Sequence, residues 1–295
     1  MTKTAKNSTA PVAPCPQGFS TAVSSVRAAR RFAADATSRY AISGLGVLCD
    51  KTGARLAATD GRRLFVYRVN AAPFPSSEFI LDRPTLDSAI SLAGRSGVVD
   101  FAFDANDPAK VSFRSTPPGK RSKTPISFRN ASTIDGRFPP VDSVLQSLRE
   151  DRSRVSIELL DVRVLRAVVD FAIALSPASD YAVRLFSGPI PGEIEATVVA
   201  MSDGTPVAGV FEFTAKFSGI VSPNAPTDPV VCLLNPRYLA TVLDAYADTV
   251  DARLPNPPRL SISLGRHGRP FGATWKTVLG STAESVVMGI HDPSV

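Results

Sequence analysis

The chain has 295 residues, 44% hydrophobic and 20% charged, which suits a soluble globular protein of about two domains. No apolar run approaches the roughly 18–20 residues needed to cross a bilayer, which argues against a membrane protein, and the opening "MTKTAKNSTAPVAPCPQG" lacks the apolar centre of a secretory signal. A formal charge of +6 favours an anionic partner, nucleic acid being the commonest.

Residues 1–17 are polar and interrupted by proline, and they are expected to form a disordered tail. A helix is predicted over Thr21–Thr37, where Ala22, Val26, Ala29 and Ala33 make an apolar stripe beside Arg27, Arg30 and Arg31. The run Arg55–Arg68, "RLAATDGRRLFVYR", predicts a hairpin turning at Asp60-Gly61, since both central positions of such a turn need a residue that tolerates positive φ. A second helix starts at Pro84, with Leu86, Ala89, Ile90 and Ala93 at i, i+3, i+4 and i+7. Strands follow at "GVVDFAFDA", "KVSFRS" and "TPISFRN". The basic loop between them, with Lys120, Arg121 and Lys123 among prolines, reads as solvated surface.

A boundary falls near Leu148–Ser153, dividing the chain into 18–149 and 150–295. Beyond it come a strand "RVSIEL" and a helix Leu160–Leu175 whose Arg163, Arg166 and Asp170 form a narrow polar stripe. Next are "EIEATVVA", an Asp203-Gly204 turn, and a helix from Pro236 carrying Leu239, Val242, Leu243 and Tyr246, with Asn235 as its N-cap. The strands "RLSISLG" and "ATWKTVL" complete the set. Helix, strands, Asp-Gly hairpin, helix and strands therefore occur twice in the same order, which predicts an α+β protein built from two copies of one unit.

Catalysis has little to draw on. His267 and His291 are the only histidines, and no phosphate-binding glycine loop, GxSxG, HExxH or CxxC is present. Cys15, Cys49 and Cys232 are odd in number and widely spaced, unlike a disulfide framework or a zinc site, so a reducing, cytoplasmic setting is expected. No enzyme activity, cofactor or metal is expected.

Four stretches resemble one family, in its order and with about its spacing. "RYAISGLGVLCDKTGARLAATDGRRLFVYR" is similar to the middle domain of the bacterial β sliding clamp (DNA polymerase III subunit beta), which carries "ATDGHRLA". "DGRFPPVDSVL" resembles its "DGRFPDY…VLP" junction, "LLNPRYLATVLDAY" its "FNxxYLxDVLxAL" helix, and "ESVVMGI" its "YVVMPMRL" terminus. The resemblance covers about residues 18 to 290 and implies two tandem clamp domains, equivalent to the family's middle and last, with helices lining a channel and antiparallel sheets outside. No counterpart of the family's first domain is expected. Arg62 replaces the family's hairpin histidine, and Met288-Gly289-Ile290-His291 replaces its Met-Pro-Met-Arg.

The resemblance implies a processivity factor, a ring around double-stranded DNA that tethers DNA polymerase and other clamp-binding proteins and is opened by a clamp loader. Six domains close the family's ring, so two-domain chains would close it as a homotrimer. The alternative is a clamp-derived interaction scaffold that does not encircle DNA. Phosphate contacts are expected from Arg27, Arg30 and Arg31, which helical periodicity gathers on one face, and from Arg163, Arg166, Arg237 and, by resemblance, Arg39 and Tyr40. The resemblance also implies a peptide groove. Its walls would be Ile42, Thr59, Gly61, Arg62, Arg63 and Leu64 from the hairpin, Pro139, Ser143 and Val144 from the junction, and Met288, Gly289 and Ile290 from the end of the chain.

Overall fold

A computed structural model describes residues 17–35, 42–69, 71, 76–103, 110–117, 129–151, 153–175, 180–187, 190, 192–203, 205–207, 213–221, 229–251, 254–265, 269–277 and 280–290. Arg39, Tyr40, residues 1–16 and the basic loop with Lys120, Arg121 and Lys123 lie outside them.

The first half runs β1 (Gln17–Ala22), α1 (Val23–Arg30), β2 (Leu45–Asp50), β3 (Gly53–Thr59) and β4 (Arg63–Val69), then β5 (Ser77–Leu81), α2 (Arg83–Ala93), β6 (Val98–Phe103), β7 (Val111–Thr116) and β8 (Arg129–Asn130). A connecting helix, α3 (Val141–Glu150), leads into β9 (Val155–Leu159), α4 (Val162–Leu175), β10 (Tyr181–Ser187), β11 (Glu193–Ser202), β12 (Thr205–Pro206) and β13 (Phe213–Val221). The chain then forms β14 (Val230–Leu234), α5 (Pro236–Thr249), β15 (Ser261–Leu264), β16 (Phe271–Lys276) and β17 (Thr282–Val287).

The repeat is fourfold, finer than the twofold pattern of the sequence. Each half contains two strand–helix–strands units that exchange their leading strands. In the first half β1 pairs with β6 and β5 with β2; in the second β14 pairs with β10 and β9 with β15. All of these pairs are antiparallel. The exchange explains why no short repeat is legible: each unit completes the other's sheet, so neither buries a face by itself.

Local chemistry sets the helix ends. The Asp82 carboxylate accepts the Thr85 backbone N–H at 2.8 Å, Pro84 occupies the first turn, and Gly94 ends α2 at φ 69°. Asn235 likewise accepts the Arg237 N–H at 2.9 Å ahead of Pro236. Helix α1 is shorter than the predicted Thr21–Thr37, because the polypeptide before Val23 is strand β1, closed by the Val23 N–H on the Gly97 carbonyl. Gln17 belongs to that strand, so the strand begins inside the stretch expected to be a tail.

The halves join edge to edge. Strand β17 pairs antiparallel with β4, from Thr282 opposite Arg68 to Val287 opposite Arg63, and α1 packs against α5 on one face of the sheet. Alternation along β4 sends Phe65 and Tyr67 into the main core under the helices, and Leu64 and Val66 to the opposite face. There α3 covers them: Leu64, Val66, Ala57, Ile80, Phe138, Val141, Leu145 and Val286 form a second apolar cluster. A strand buried on both faces reads as a continuous apolar run, which is what the central "LFVY" of β4 is, between the half-buried Arg63 and Arg68. Ring contacts cross the seam, with Phe65 5.2 Å from Phe32 and 6.1 Å from Trp275, whose indole N–H donates to Thr249 Oγ1 at 2.8 Å.

Cys49 and Cys232 are both buried and free, and burial pushes their thiols up to about 11 and about 12. They pack as small apolar residues. No helix among the described residues is long and apolar enough to cross a membrane.

Candidate functional site

The β3–β4 hairpin and its repeat copy differ by one residue in register. In the second copy Met201 opposes Pro206 and Ser202 opposes Thr205, so Asp203 starts the turn, with φ 50°. In the first, Thr59 opposes Leu64 and the Asp60 N–H donates to the Arg63 carbonyl, which makes Gly61 and Arg62 the central pair. Gly61 has φ 87°, while Asp60 is not in the positive-φ region. This corrects the expected Asp60-Gly61 centre, and Gly at the first central position matches a type II′ turn. The cause is Asp60 Oδ1, which accepts the backbone N–H groups of Arg62 and Arg63, each at 2.9 Å.

That shift builds a pocket. Thr59, Gly61, Arg62, Arg63 and Leu64 form one wall, Pro139, Pro140, Val141 and Val144 the second, and Val286 and Met288 the third, around a cavity of about 100 Å³. The Met288 N–H donates to the Arg62 carbonyl at 2.9 Å, which ties the chain's last strand to the hairpin. Leu64 is buried at 7% exposure, whereas Val144 and Met288 are 37% and 46% exposed. The floor is thus structural, and the rim is open to solvent.

Arg63 connects this pocket to the helices. Its Nε pairs with Asp60 at 2.8 Å, its Nη1 donates to Thr241 Oγ1 on α5, and its guanidinium lies 5.0 Å from the Tyr238 ring centroid and 5.8 Å from that of Phe32.

Of the expected groove residues, Thr59, Gly61, Arg62, Arg63, Leu64, Pro139, Val144 and Met288 converge. Ile42 does not line the cavity; it is buried, and its carbonyl accepts the Ala34 N–H. Ser143 bonds the Pro140 carbonyl on the exposed side of α3, and Ile290 donates its N–H to Leu233 on β14. Gly289 also lies outside the cavity wall. Pro140, Val141 and Val286 line the cavity and were missed. Val286 was within reach of a sequence argument, since it shares a strand face with Met288 at i, i+2.

The second candidate is the helical face, on the side of the sheets opposite α3. Helix α1 packs on both α2 and α5, and α5 on α4, giving the row α2–α1–α5–α4. Arg27 donates from Nη2 to the Gly94 carbonyl at 2.9 Å. Arg30 pairs with Asp87 at 3.0 Å. Arg31 spans the halves to Asp248 at 2.9 Å and Asp244 at 3.1 Å, both on α5. Arg166 pairs with Asp170 at 2.8 Å and meets Asp244 as well; the hydrogen bonds it donates to Asp170 and then Asp244 hold its guanidinium above its ordinary pKa. Arg163 pairs with Asp161 at 2.8 Å with its side chain 91% exposed, and Arg237 is exposed in the first turn of α5. The face is therefore basic but largely countered by its own aspartates. Among the described residues no group of three or more His, Cys, Asp or Glu side chains is placed to hold a metal. The arrangement is thus a small apolar cavity with a partly exposed rim and, separately, a helical face of paired arginines and aspartates.

No protein-family model matches the sequence, and no curated protein matches it. Solved structures do match the fold. The DNA polymerase III subunit beta of Pseudomonas aeruginosa superposes with a TM-score of 0.66 at 19% identity, over 96% of this chain and 69% of that one. The DNA polymerase sliding clamp of Bacillus subtilis gives 0.66 at 14% identity, over 95% and 67%. Four of the described helices in a row on one face of antiparallel sheets, and a match to about two thirds of a three-domain chain, lead to one conclusion: this chain has the fold of two of the three domains of the bacterial DNA polymerase III beta sliding clamp.

Proposed function

We propose that the protein is a non-enzymatic sliding clamp, a head-to-tail ring of three copies around duplex DNA that tethers a DNA polymerase and other proteins through peptides seated between Thr59–Leu64, α3 and Met288. The observation that carries this reading is the edge-to-edge seam. Within the chain, the last strand of one unit (β4) pairs with the last strand of another (β17). The two remaining units end in β8 and β13. Among the described residues, neither β8 nor the Phe213–Phe217 stretch of β13 has a partner on its outer edge.

A second copy placed by the same rule joins β13 to β8 and α4 to α2. The two edges differ in character. Phe213, at the start of the open stretch of β13, is 40% exposed and sits against Phe171 of α4 with the rings tilted and centroids 4.8 Å apart, while β8 presents exposed Arg129 and Asn130. An open strand edge is a template for pairing with another chain. An interface that is heterologous, as this one is, closes into a ring when the rotation per copy is right.

Contact with DNA would come from Arg27, Arg30, Arg31, Arg163, Arg166 and Arg237. Each phosphate contact contributes about −0.9 to the slope of log affinity against log salt. Arg163→Ala is expected to flatten that slope by about one unit in duplex-binding anisotropy, leaving the melting temperature unchanged because the side chain is exposed. A wild-type affinity that does not respond to salt would overturn the phosphate-contact reading. The scaffold alternative draws on the aspartates that already occupy Arg30, Arg31 and Arg166. It predicts peptide binding with no duplex binding at low salt.

A further inference from the structure

Two arginines from opposite halves of the chain converge on one carboxylate. Asp244 Oδ2 accepts Arg31 Nη1 at 3.1 Å, and Asp244 Oδ1 accepts Arg166 Nη1. The outer ends of this network are further carboxylates: Asp248 takes Arg31 Nε at 2.9 Å, and Asp170 takes Arg166 Nε at 2.8 Å. Two positive and three negative groups leave the cluster with a net charge of −1, in the middle of the helical row. Its members differ in exposure, with side-chain values of 39% for both arginines, 54% for Asp170 and 32% for Asp244, and Asp248 the least open at 18%. A deeply buried network would be a structural lock; this one is open to solvent and to exchange.

We propose that Asp244, supported by Asp248, is an internal counter-ion that sets how tightly the helical face holds nucleic acid, occupying Arg31 and Arg166 in the way a phosphate would. The inference rests on the reading of this face as the duplex-binding surface. A phosphate reaching Arg31 replaces one oxyanion by another at similar geometry, so the contact forms with little net gain and breaks with little net loss. Exposed ion pairs contribute little net stability, which makes the exchange cheap in both directions. A protein that must stay near DNA while moving along it needs contacts of this kind, numerous and short-lived, and a carboxylate on the same helix row returns the arginine as each phosphate leaves. The structural alternative is that Asp244 only staples α1 to α4 and α5 across the seam.

Asp244→Asn separates the two, because it keeps the shape and an acceptor oxygen while removing the charge. Duplex binding is measured by anisotropy with a fluorescent random-sequence duplex across a salt series. Asp142→Asn serves as control: it makes the same change in net charge on α3, which covers the opposite face of the sheet. The expected result for Asp244→Asn is about fivefold tighter binding at low salt and a log–log slope steeper by about one unit, with Asp142→Asn close to wild type. Asp248→Asn should shift affinity in the same direction and gives a second reading should the first variant fold poorly. Binding no tighter than the control in both variants, or weaker binding with a lowered melting temperature, would overturn the counter-ion role and leave a staple. Absence of duplex binding by wild type and variants alike would instead overturn the DNA reading on which the inference rests.

Discussion

Met288→Asp is expected to weaken binding of a fluorescein-labelled peptide bearing adjacent leucine and phenylalanine anchors by at least about 30-fold, with the fold intact. Truncating or charging an anchor pocket at an interface hot spot costs about 2 kcal/mol or more, and each 1.4 kcal/mol is tenfold in affinity. The position suits the test because Met288 is 46% exposed on the rim, so a carboxylate there remains solvated in the free protein. Leu64, the residue a sequence argument would choose, is unsuitable. At 7% exposure it belongs to the cluster under α3, and an aspartate there would bury an unpaired charge and unfold the region. Anisotropy titration of wild type and Met288→Asp decides the matter: unchanged affinity would make the cavity a packing seam between hairpin, α3 and β17.

Phe65→Ala carries the largest expected cost in stability, about 3–5 kcal/mol, the range for removing a fully buried aromatic ring. Phe65 is completely buried on β4 at the seam, in contact with Phe32 below α1 and with Trp275 from the other half. The loss should appear as a melting temperature lower by roughly 10 °C in calorimetry. It should also weaken the grip between halves, because the ring touches residues of both. Leu254→Ala, at a 40% exposed site away from both open edges, should cost under about 1 kcal/mol by comparison. A Phe65→Ala loss as small as that of Leu254→Ala would contradict a core that is continuous across the seam.

What the sequence carries and what it hides follow from the range of each interaction. The starts of helices α2 and α5 were legible because their signals are local: proline in the first turn of both, Asn235 as cap of the second, and an apolar stripe at 3.6-residue spacing. The α+β class and the twofold repeat follow from the same local signals. Helix α3 was not legible as a helix, since it begins after two prolines and buries only Val141 and Leu145. The turn register was misplaced by one residue because Asp-Gly suits two turn types, and the choice was made by Asp60 hydrogen bonding to the backbone of Arg62 and Arg63. Strand exchange between units depends on pairings such as β1 with β6, about 80 residues apart, which no local pattern reports.

The candidate sites divide in the same way. Eight of the twelve expected groove residues line the cavity, because hairpin, junction and final strand each carry a recognisable motif. The arginines of the helical face were also recognisable by spacing, but their partners were not. Arg31 meets Asp244 and Asp248 across the seam at separations of 213 and 217 residues, Arg30 meets Asp87 and Arg27 the Gly94 carbonyl, so a cluster that reads as free positive charge is engaged with acceptors of the chain itself. This is the change with most consequence for function, since it turns a strongly basic surface into a buffered one.

The central claim is the ring, and molar mass in solution tests it most directly. Multi-angle light scattering on the purified chain across a dilution series should give three times 31.2 kDa, about 94 kDa, as six domain-sized halves closed head to tail through β8 and β13. A mass of about 31 kDa at every concentration would contradict it, leaving the open edges unpartnered and the chain unable to enclose DNA.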